Sequence, residues 1–300
     1  MNELENILVT TFNALPPLLL AGLGGMITSR IGILNLGLEG MMLIGAFVAV
    51  ITNYYTGSAL LGLVMAVLLS SVIGLLFAVL NLRFKVDNII VSVGINLFAV
   101  AVTRYLLTVL FHVSGAFSSE RIVKLPVIPL GILERIPVLR AFSGLSVIFW
   151  IALILTGILS FIMNKTALGL HIRATGLNST AVTTAGISVN KIRYSCIVLS
   201  GAFCGIAGAY FSTGYLAMFT VGMTNGRGYL GNIASILGAR GAVGTLLGSL
   251  LFSFTEGATM KIQTFGFPSQ LIQLIPYLVA FAVIIAVAAV QMKKKSRTLI

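Results

Sequence analysis

The sequence predicts an all-α fold: a polytopic integral membrane helical bundle of about nine crossings. Three observations lead there. Hydrophobic residues make up 58% of the 300-residue chain and charged residues only 9%, against roughly 25% charged in soluble domains. Mean hydropathy is +1.08. The charges are also spaced so that long uncharged intervals lie between them. A water-soluble globule of this length cannot hide so much apolar surface, which excludes soluble enzymes, nucleic-acid-binding proteins and disordered chains.

A spanning helix needs about 20 mainly apolar residues. Uncharged residues 6–29 give a first span near 6–27. Its lead-in, MNELENIL, is acidic and lacks the basic start of a cleavable signal peptide, so it is expected to be retained. Residues 31–82 carry Glu39 as their only charge and divide into spans near 31–52 and 58–81, and another follows near 88–111. Later spans fall near 144–163, 194–216, 243–260 and 271–292. Residues 222–240 are glycine-rich, contain Arg227, and form one weak or broken crossing. The whole chain, 1–300, reads as a single transmembrane domain.

The net charge of +12 does not indicate nucleic acid, because the basic residues form short clusters between apolar runs and no continuous basic face. They set orientation instead. With the N-terminus outside, the inner side holds Arg30, Arg83, Lys85, Lys165, Arg173, Lys191, Arg193, Arg240 and the basic tail 293–300, twelve basic residues in all. Six lie outside and Arg104 lies within a span. The expected arrangement is N-terminus outside and C-terminus cytoplasmic. Segment 112–143 is then a long external loop, in which Pro126, Pro129 and Pro137 bar a long helix. Both an irregular connection and a contact surface for a soluble partner fit it.

Several motif matches fail on context. Gly226-Arg227-Gly228-Tyr229-Leu230-Gly231 has G-x-G-x-x-G spacing, but no strand–helix unit surrounds it, so it is not a dinucleotide site. No G-x-x-x-x-G-K-[ST] is present, so the chain does not bind ATP in the P-loop manner. His112 and His171 stand far apart without ligand-type neighbours, which gives no metal site. Cys196 and Cys204 lie about 12 Å apart along a helix, beyond disulfide reach. No nucleophile–base constellation appears, so no catalytic residues and no enzyme activity are expected.

Polar residues inside spans carry more information. A carboxylate such as Glu39 near a helix centre costs about 2.5–3.5 kcal/mol on insertion scales. With one helix over 31–52, Gly32, Asn35, Glu39 and Met42 share a face, while Asn88, Ser92, Asn96 and Thr103 make a second polar stripe. Asn35, Glu39, Asn96 and Asn232 are the candidate residues of a substrate pathway; interhelical hydrogen bonding that fixes the bundle is the plainer alternative. Gly201-x-x-x-Gly205 and Gly244-x-x-x-Gly248 predict close helix approach. Two glycine-interrupted segments, RIGILNLGLEGMMLIGA over 30–46 and RGYLGNIASILGA over 227–239, correspond in the two halves of the chain. Paired broken segments of this kind point to a midplane pathway.

Segment 164–193, NKTALGLHIRATGLNSTAVTTAGISVNKIR, is long, basic and free of acids. Residues 177–185 predict a short helix, capped by Asn178 or Ser179 and ended by Gly186. The segment resembles the cytoplasmic coupling segment of ABC-importer permeases of the ribose/branched-chain amino acid superfamily, G-L-x-x-R-A-x-G-x-N-x-x-A-A-x-x-A-G-I. Gly169, Leu170, Arg173, Ala174, Gly176, Asn178, Ala181, Ala185, Gly186 and Ile187 match it; Ser179 stands where Pro is usual and Val182 where Ala is common. Ile33-Leu34-Asn35-Leu36-Gly37-Leu38-Glu39-Gly40 is similar to the I-x-N-x-G-x-E-G signature of guanosine-type nucleoside permeases. The resemblance covers nearly the whole chain.

What the resemblance implies is a permease subunit of a bacterial ABC importer for nucleosides, such as guanosine and other purine nucleosides, in the inner membrane. Its partners would be ABC ATPase subunits that use ATP and Mg, a second homologous permease making a heterodimer, and an extracellular solute-binding lipoprotein or periplasmic protein. No cofactor is expected in this chain. ATPase coupling would fall to Gly169, Arg173, Gly176, Asn178, Ala181, Ala185 and Gly186. Ribose or another sugar as substrate, and a stand-alone secondary transporter using Glu39 or Glu256, are the alternatives.

Overall fold

The computed structural model describes residues 3–129, 143–262, 274–283 and 285. Half of the expected 271–292 span, part of the 112–143 loop and the 293–300 tail lie outside the described residues.

The bundle is built around α1 (Glu3–Arg30), whose residues from Ala14 to Ser29 are buried almost without interruption. Pro16 and Pro17 lie inside it. A helical proline leaves the carbonyl four residues earlier without its amide partner. For Pro17 that carbonyl belongs to Asn13, and the buried Tyr210 hydroxyl donates to it at 2.9 Å. Tertiary packing therefore repairs the helix.

Next comes α2 (Leu38–Thr56), ended by Gly57 at φ +65. Then α3 (Ala59–Ala78) widens into a π-helical turn over Val79–Arg83. Asp87 caps α4 (Asn88–Phe111), accepting from the amides of Ile89 and Ile90 at 2.8 and 3.4 Å. After the connection come α5 (Val147–Lys165), the short helices α6 (Ala167–Leu177) and α7 (Ser179–Thr184), and α8 (Val189–Ala209), which continues as a π-helical stretch over Tyr210–Leu216. The short α9 (Arg227–Leu237) and the long α10 (Ala242–Ile262) follow.

Small residues set the helix spacing. A Cβ on Gly45 of α2 would stand 2.9 Å from the Gly205 Cα of α8, so the two backbones touch. Gly248 of α10 meets the backbone of Ala234 in α9 in the same way. Both glycine pairs read from the sequence lie at such approaches.

At the end of the bundle opposite α6 and α7, strand β1 (Ala116–Ser118) pairs antiparallel with β4 (Met218–Thr220), and β2 (Val127–Ile128) with β3 (Leu145–Ser146). Asn53, at the end of α2, anchors this connection by donating to the Val123 carbonyl and accepting its amide, at 2.7 and 3.1 Å.

Six of the described helices are long and apolar enough to cross a membrane. They correspond to the spans expected near 6–27, 31–52, 58–81, 88–111, 144–163 and 194–216. One expectation needs correction. The helix placed at 31–52 begins only at Leu38, because Gly32 turns at φ +80 and residues 33–36 are non-helical. The weak segment 222–240 holds an 11-residue helix, about 16 Å long at 1.5 Å per residue, roughly half the hydrocarbon thickness. This half-length helix fits the weak or broken segment expected there, which runs from the strand pair of β1 and β4 to the carbonyls of Ala239 and Arg240 beside Arg30 at the other end of the bundle.

Candidate functional site

Both broken segments start a helix inside the bundle, and the two starts meet. In the first, the Asn35 side chain accepts from the Gly37 amide at 2.9 Å, a local turn that holds the break open ahead of α2. The Asn35 amide group donates to Ser200 of α8 at 3.3 Å, and its backbone carbonyl accepts from Asn232 of α9 at 3.1 Å. Glu39, in the first turn of α2, reaches across to the start of α9, where its two carboxylate oxygens accept from the amides of Gly226 and Gly228 at 2.8 and 2.7 Å. A helix start offers unpaired amides and the positive end of the helix dipole, the natural receptor for a carboxylate. Such charge-assisted bonds hold an acid within a span where isolation would be costly.

Asn96 of α4 closes the arrangement. It accepts from the Gly40 amide at 2.8 Å and donates to the Leu36 carbonyl at 3.0 Å and the Tyr229 hydroxyl at 2.7 Å. All four expected pathway residues, Asn35, Glu39, Asn96 and Asn232, thus converge at the two breaks. Their exposure differs. Asn35 and Asn232 are buried, while Asn96 and Glu39 are half-buried and Tyr229 is 38% exposed. The Asn232 Oδ1 is buried with no hydrogen-bond partner among the described residues.

Sequence reasoning missed Tyr229, Gly226 and Gly228. The signal was the glycine spacing discarded as a dinucleotide motif. Gly226 adopts φ +80, and a Cβ on Gly228 would stand 2.7 Å from the Glu39 amide nitrogen. The glycines receive a carboxylate from the chain's own other half. It also missed the ion pair of Arg227 with Glu256, both largely buried, with the Arg227 guanidinium 4.3 Å over the Phe211 ring. Among the described residues, no group of three His, Cys, Asp or Glu side chains could hold a metal ion.

The second candidate region, 164–193, holds the two short helices α6 and α7. The Thr166 hydroxyl caps α6 by accepting from the Gly169 amide at 3.2 Å. Gly169 lies against the backbone of Ile162 and Met163, and Gly176 against the backbone of Arg30, at the end of α1. These glycines seat α6 on the bundle. Asn178 caps α7, accepting from the Ala181 amide at 3.1 Å, and Gly186 follows at φ +78, as the sequence predicts. Only Val182 of α7 is buried; Thr180, Ala181, Thr183, Thr184 and Ala185 face outward. Arg173 lines a recess of about 370 Å³ together with Arg30 and Arg240.

Residues 7–288 match the family described as branched-chain amino acid transport system / permease component. The chain is 31% identical to the nucleoside ABC transporter permease protein NupC of Lactococcus lactis, covering 95% of this chain and 92% of the relative. It is 31% identical to the guanosine ABC transporter permease protein NupQ of Bacillus subtilis, covering 81% and 78%. The glucose ABC transporter permease protein TsgB13 of Haloferax volcanii is 27% identical, covering 88% and 72%. The fold is similar to a solved structure described as an inward-facing metal-chelate type ABC transporter, with a TM-score of 0.52 and 15% identity over 94% of this chain and 85% of that one.

Proposed function

The chain belongs to the permease-component family of branched-chain amino acid transport systems, and from that premise we propose that it is the membrane-spanning permease subunit of an ATP-driven importer of nucleosides, purine nucleosides such as guanosine among them. The observation that carries the substrate is the 31% identity to two permeases named for nucleosides or guanosine, across most of the chain. ATP and Mg are used by separate ATPase subunits. A binding protein delivers solute from outside, and a second permease completes the pathway. The single domain spans the bacterial cell membrane with its N-terminus outside and its C-terminus in the cytoplasm.

In this reading the two helix breaks form the pathway wall. Asn35 and Asn232 hold the breaks together from behind, while Asn96, Glu39 and Tyr229 present polar atoms toward the solute. Helix α7 is the contact with the ATPase, its outward Ala and Thr residues fitting a groove and α6 passing the motion to the end of α1. Gly169, Gly176 and Gly186 shape that segment, Asn178 caps it, and Arg173 lies at its rim. A stand-alone proton-coupled transporter needs a carboxylate free to exchange its proton, and both Glu39 oxygens already accept backbone amides.

The similarity to a glucose permease supports a sugar as the second reading. Uptake of labelled guanosine, adenosine, uridine, ribose and glucose in a strain deleted for the gene separates the two. Loss of purine nucleoside uptake, restored by the gene, is the expected result. Loss of sugar uptake alone overturns the nucleoside assignment.

A further inference from the structure

Three arginines from three parts of the chain line one recess of about 370 Å³ at the α6 end of the bundle. Arg30 is the last residue of α1, immediately before the first helix break. Arg173 lies in α6. Arg240 stands three residues after the end of α9, the helix of the second break. Arg30 is close enough to feel the charge of both others, and like charges gathered in this way repel.

The fold holds them together nonetheless. Ala239 and Arg240 both adopt left-handed backbone, at φ +52 and +57, a conformation that is uncommon outside glycine and that gathers at ligand-binding positions. Arg30 pins this turn, donating from Nε to the Arg240 carbonyl at 2.6 Å and from Nη2 to the Ala239 carbonyl at 3.4 Å. Arg173 donates from Nε to the Gly169 carbonyl at 3.4 Å. The Arg240 guanidinium has no hydrogen-bond or ion-pair partner among the described residues.

The chain supplies no counter-charge. With the N-terminus outside, Asp87 is the only acidic side chain of the inner connections, and its carboxylate already accepts the amides at the start of α4. Among the described residues no ion pair reaches any of the three arginines. Three guanidinia around a concave recess, with no carboxylate to meet them, make a receptor for an anion that comes from elsewhere.

The lining narrows its chemistry. A carboxylate brings two oxygens and a single charge, whereas a phosphate ester brings three acceptor oxygens and roughly two negative charges. Planar guanidinium forks bind phosphate through paired hydrogen bonds. Leu170 and Leu177 line the same recess, 57% and 88% exposed, which suits the organic part of an ester better than a bare ion. Basic pockets at the cytoplasmic ends of spans also receive phospholipid headgroups, and cardiolipin carries two phosphates.

We propose that the recess binds a phosphate-bearing organic anion, which bridges Arg30, Arg173 and Arg240 and so fastens α6 to the chain at both helix breaks. Placing the recess on the inner side rests on the permease reading above; the receptor itself rests on the three arginines.

The test uses the whole complex, purified through a tag on this chain, as wild type, Arg240→Asn and Arg240→Lys. Asparagine tolerates left-handed backbone, and the turn is held by the Arg240 carbonyl, not its guanidinium, so Arg240→Asn removes the charge and keeps the fold. Thermal unfolding is followed against glycerol 3-phosphate, with sodium chloride at equal ionic strength as the control. Bound lipid is measured by mass spectrometry after reconstitution in nanodiscs of mixed phosphatidylcholine and cardiolipin. The other subunits are identical in all three preparations, so what they bind cancels. A soluble ester is the source if glycerol 3-phosphate raises the unfolding temperature of wild type, and Arg240→Asn needs about tenfold more of it while Arg240→Lys responds nearly as wild type does. A lipid is the source if cardiolipin is enriched on wild type and Arg240→Lys and the enrichment is lost in Arg240→Asn. Either result supports the site. If neither probe distinguishes Arg240→Asn from wild type, the proposal is overturned. Recovery of the tagged chain without an ATPase subunit would sink the permease reading, while the same two comparisons would still decide the recess.

Discussion

The Tyr210 hydroxyl donates to the Asn13 carbonyl at 2.9 Å, across 197 residues of sequence. It fills the hydrogen bond that Pro17 removes from α1. A buried acceptor left unsatisfied costs about 1–3 kcal/mol. Tyr210→Phe should therefore lower the stability of the detergent-solubilised protein by about that amount, read by thermal unfolding. The loss should shrink when Pro17→Ala is added, because the helix then supplies its own amide. Equal losses in both backgrounds would mean that Tyr210 contributes through packing alone.

Glu39 bridges the two helix breaks. Glu39→Gln keeps the shape and removes the charge, and one of its two terminal atoms becomes a donor facing an amide. Losing a charge-assisted bond is worth about 1.5–3 kcal/mol, so we expect transport to fall about tenfold or more, with the complex still assembled. Radiolabelled uptake beside co-isolation of the ATPase separates the two effects. Full transport by Glu39→Gln would show that the ionised form is not required.

Gly228→Ala places a methyl group within 2.8 Å of the Glu39 Cα and its carboxylate. Neither backbone can yield without moving α2 from α9. This variant should lose transport at least as severely as Glu39→Gln, and thermal unfolding should show a loss of about 1–3 kcal/mol, the range typical of overpacking.

Ala181 faces outward from α7, while Arg173 lies in the recess beside Arg30. Rim charges tune encounter and register, whereas a small helix face must fit closely to transmit a rigid-body shift. Ala181→Trp should therefore abolish the ATPase stimulation produced by loaded binding protein, and Arg173→Ala should only weaken it. The measurement is ATPase activity of the reconstituted complex. Wild-type stimulation with Ala181→Trp would show that α7 is not the coupling element.

Orientation is tested by cysteines at positions 2 and 298. The native Cys196 and Cys204 are both buried, so background labelling should be low. An impermeant thiol reagent applied outside should label position 2 and spare position 298. Equal labelling of both would rule out the proposed topology.

Six of the expected spans were legible because a bilayer forces uncharged runs about 20 residues long, and composition records that directly. The cap at Asn178 and the stop at Gly186 were legible because both are local. The start of α2 was not: Ile31–Gly37 is as apolar as the helix that follows, and only the turn at Gly32 and the Asn35–Gly37 bond separate them. Glu39 was visible as an unusual acid, but its receptor lies almost 190 residues away in sequence, beyond anything periodicity reports. The glycines of that receptor were visible as well, and without their partner they resembled a different motif. Arg104 was noticed as a charge within a span; that it faces outward needed the packing of α4.

The contact between Gly176 and Arg30 has a mechanical consequence. Side chains yield when pushed, by changing rotamer. Here backbone meets backbone, and even a methyl group on Gly176 finds no room. Inward displacement of α6 is therefore transferred to α1 without slack. Arg30 is the last residue of α1, and the strand of chain that leads to Asn35 and Glu39 hangs from it. A stiff route from the surface helices to the middle of the protein thus runs through this joint, nine residues of sequence from the Glu39 carboxylate that ties the two helix breaks together.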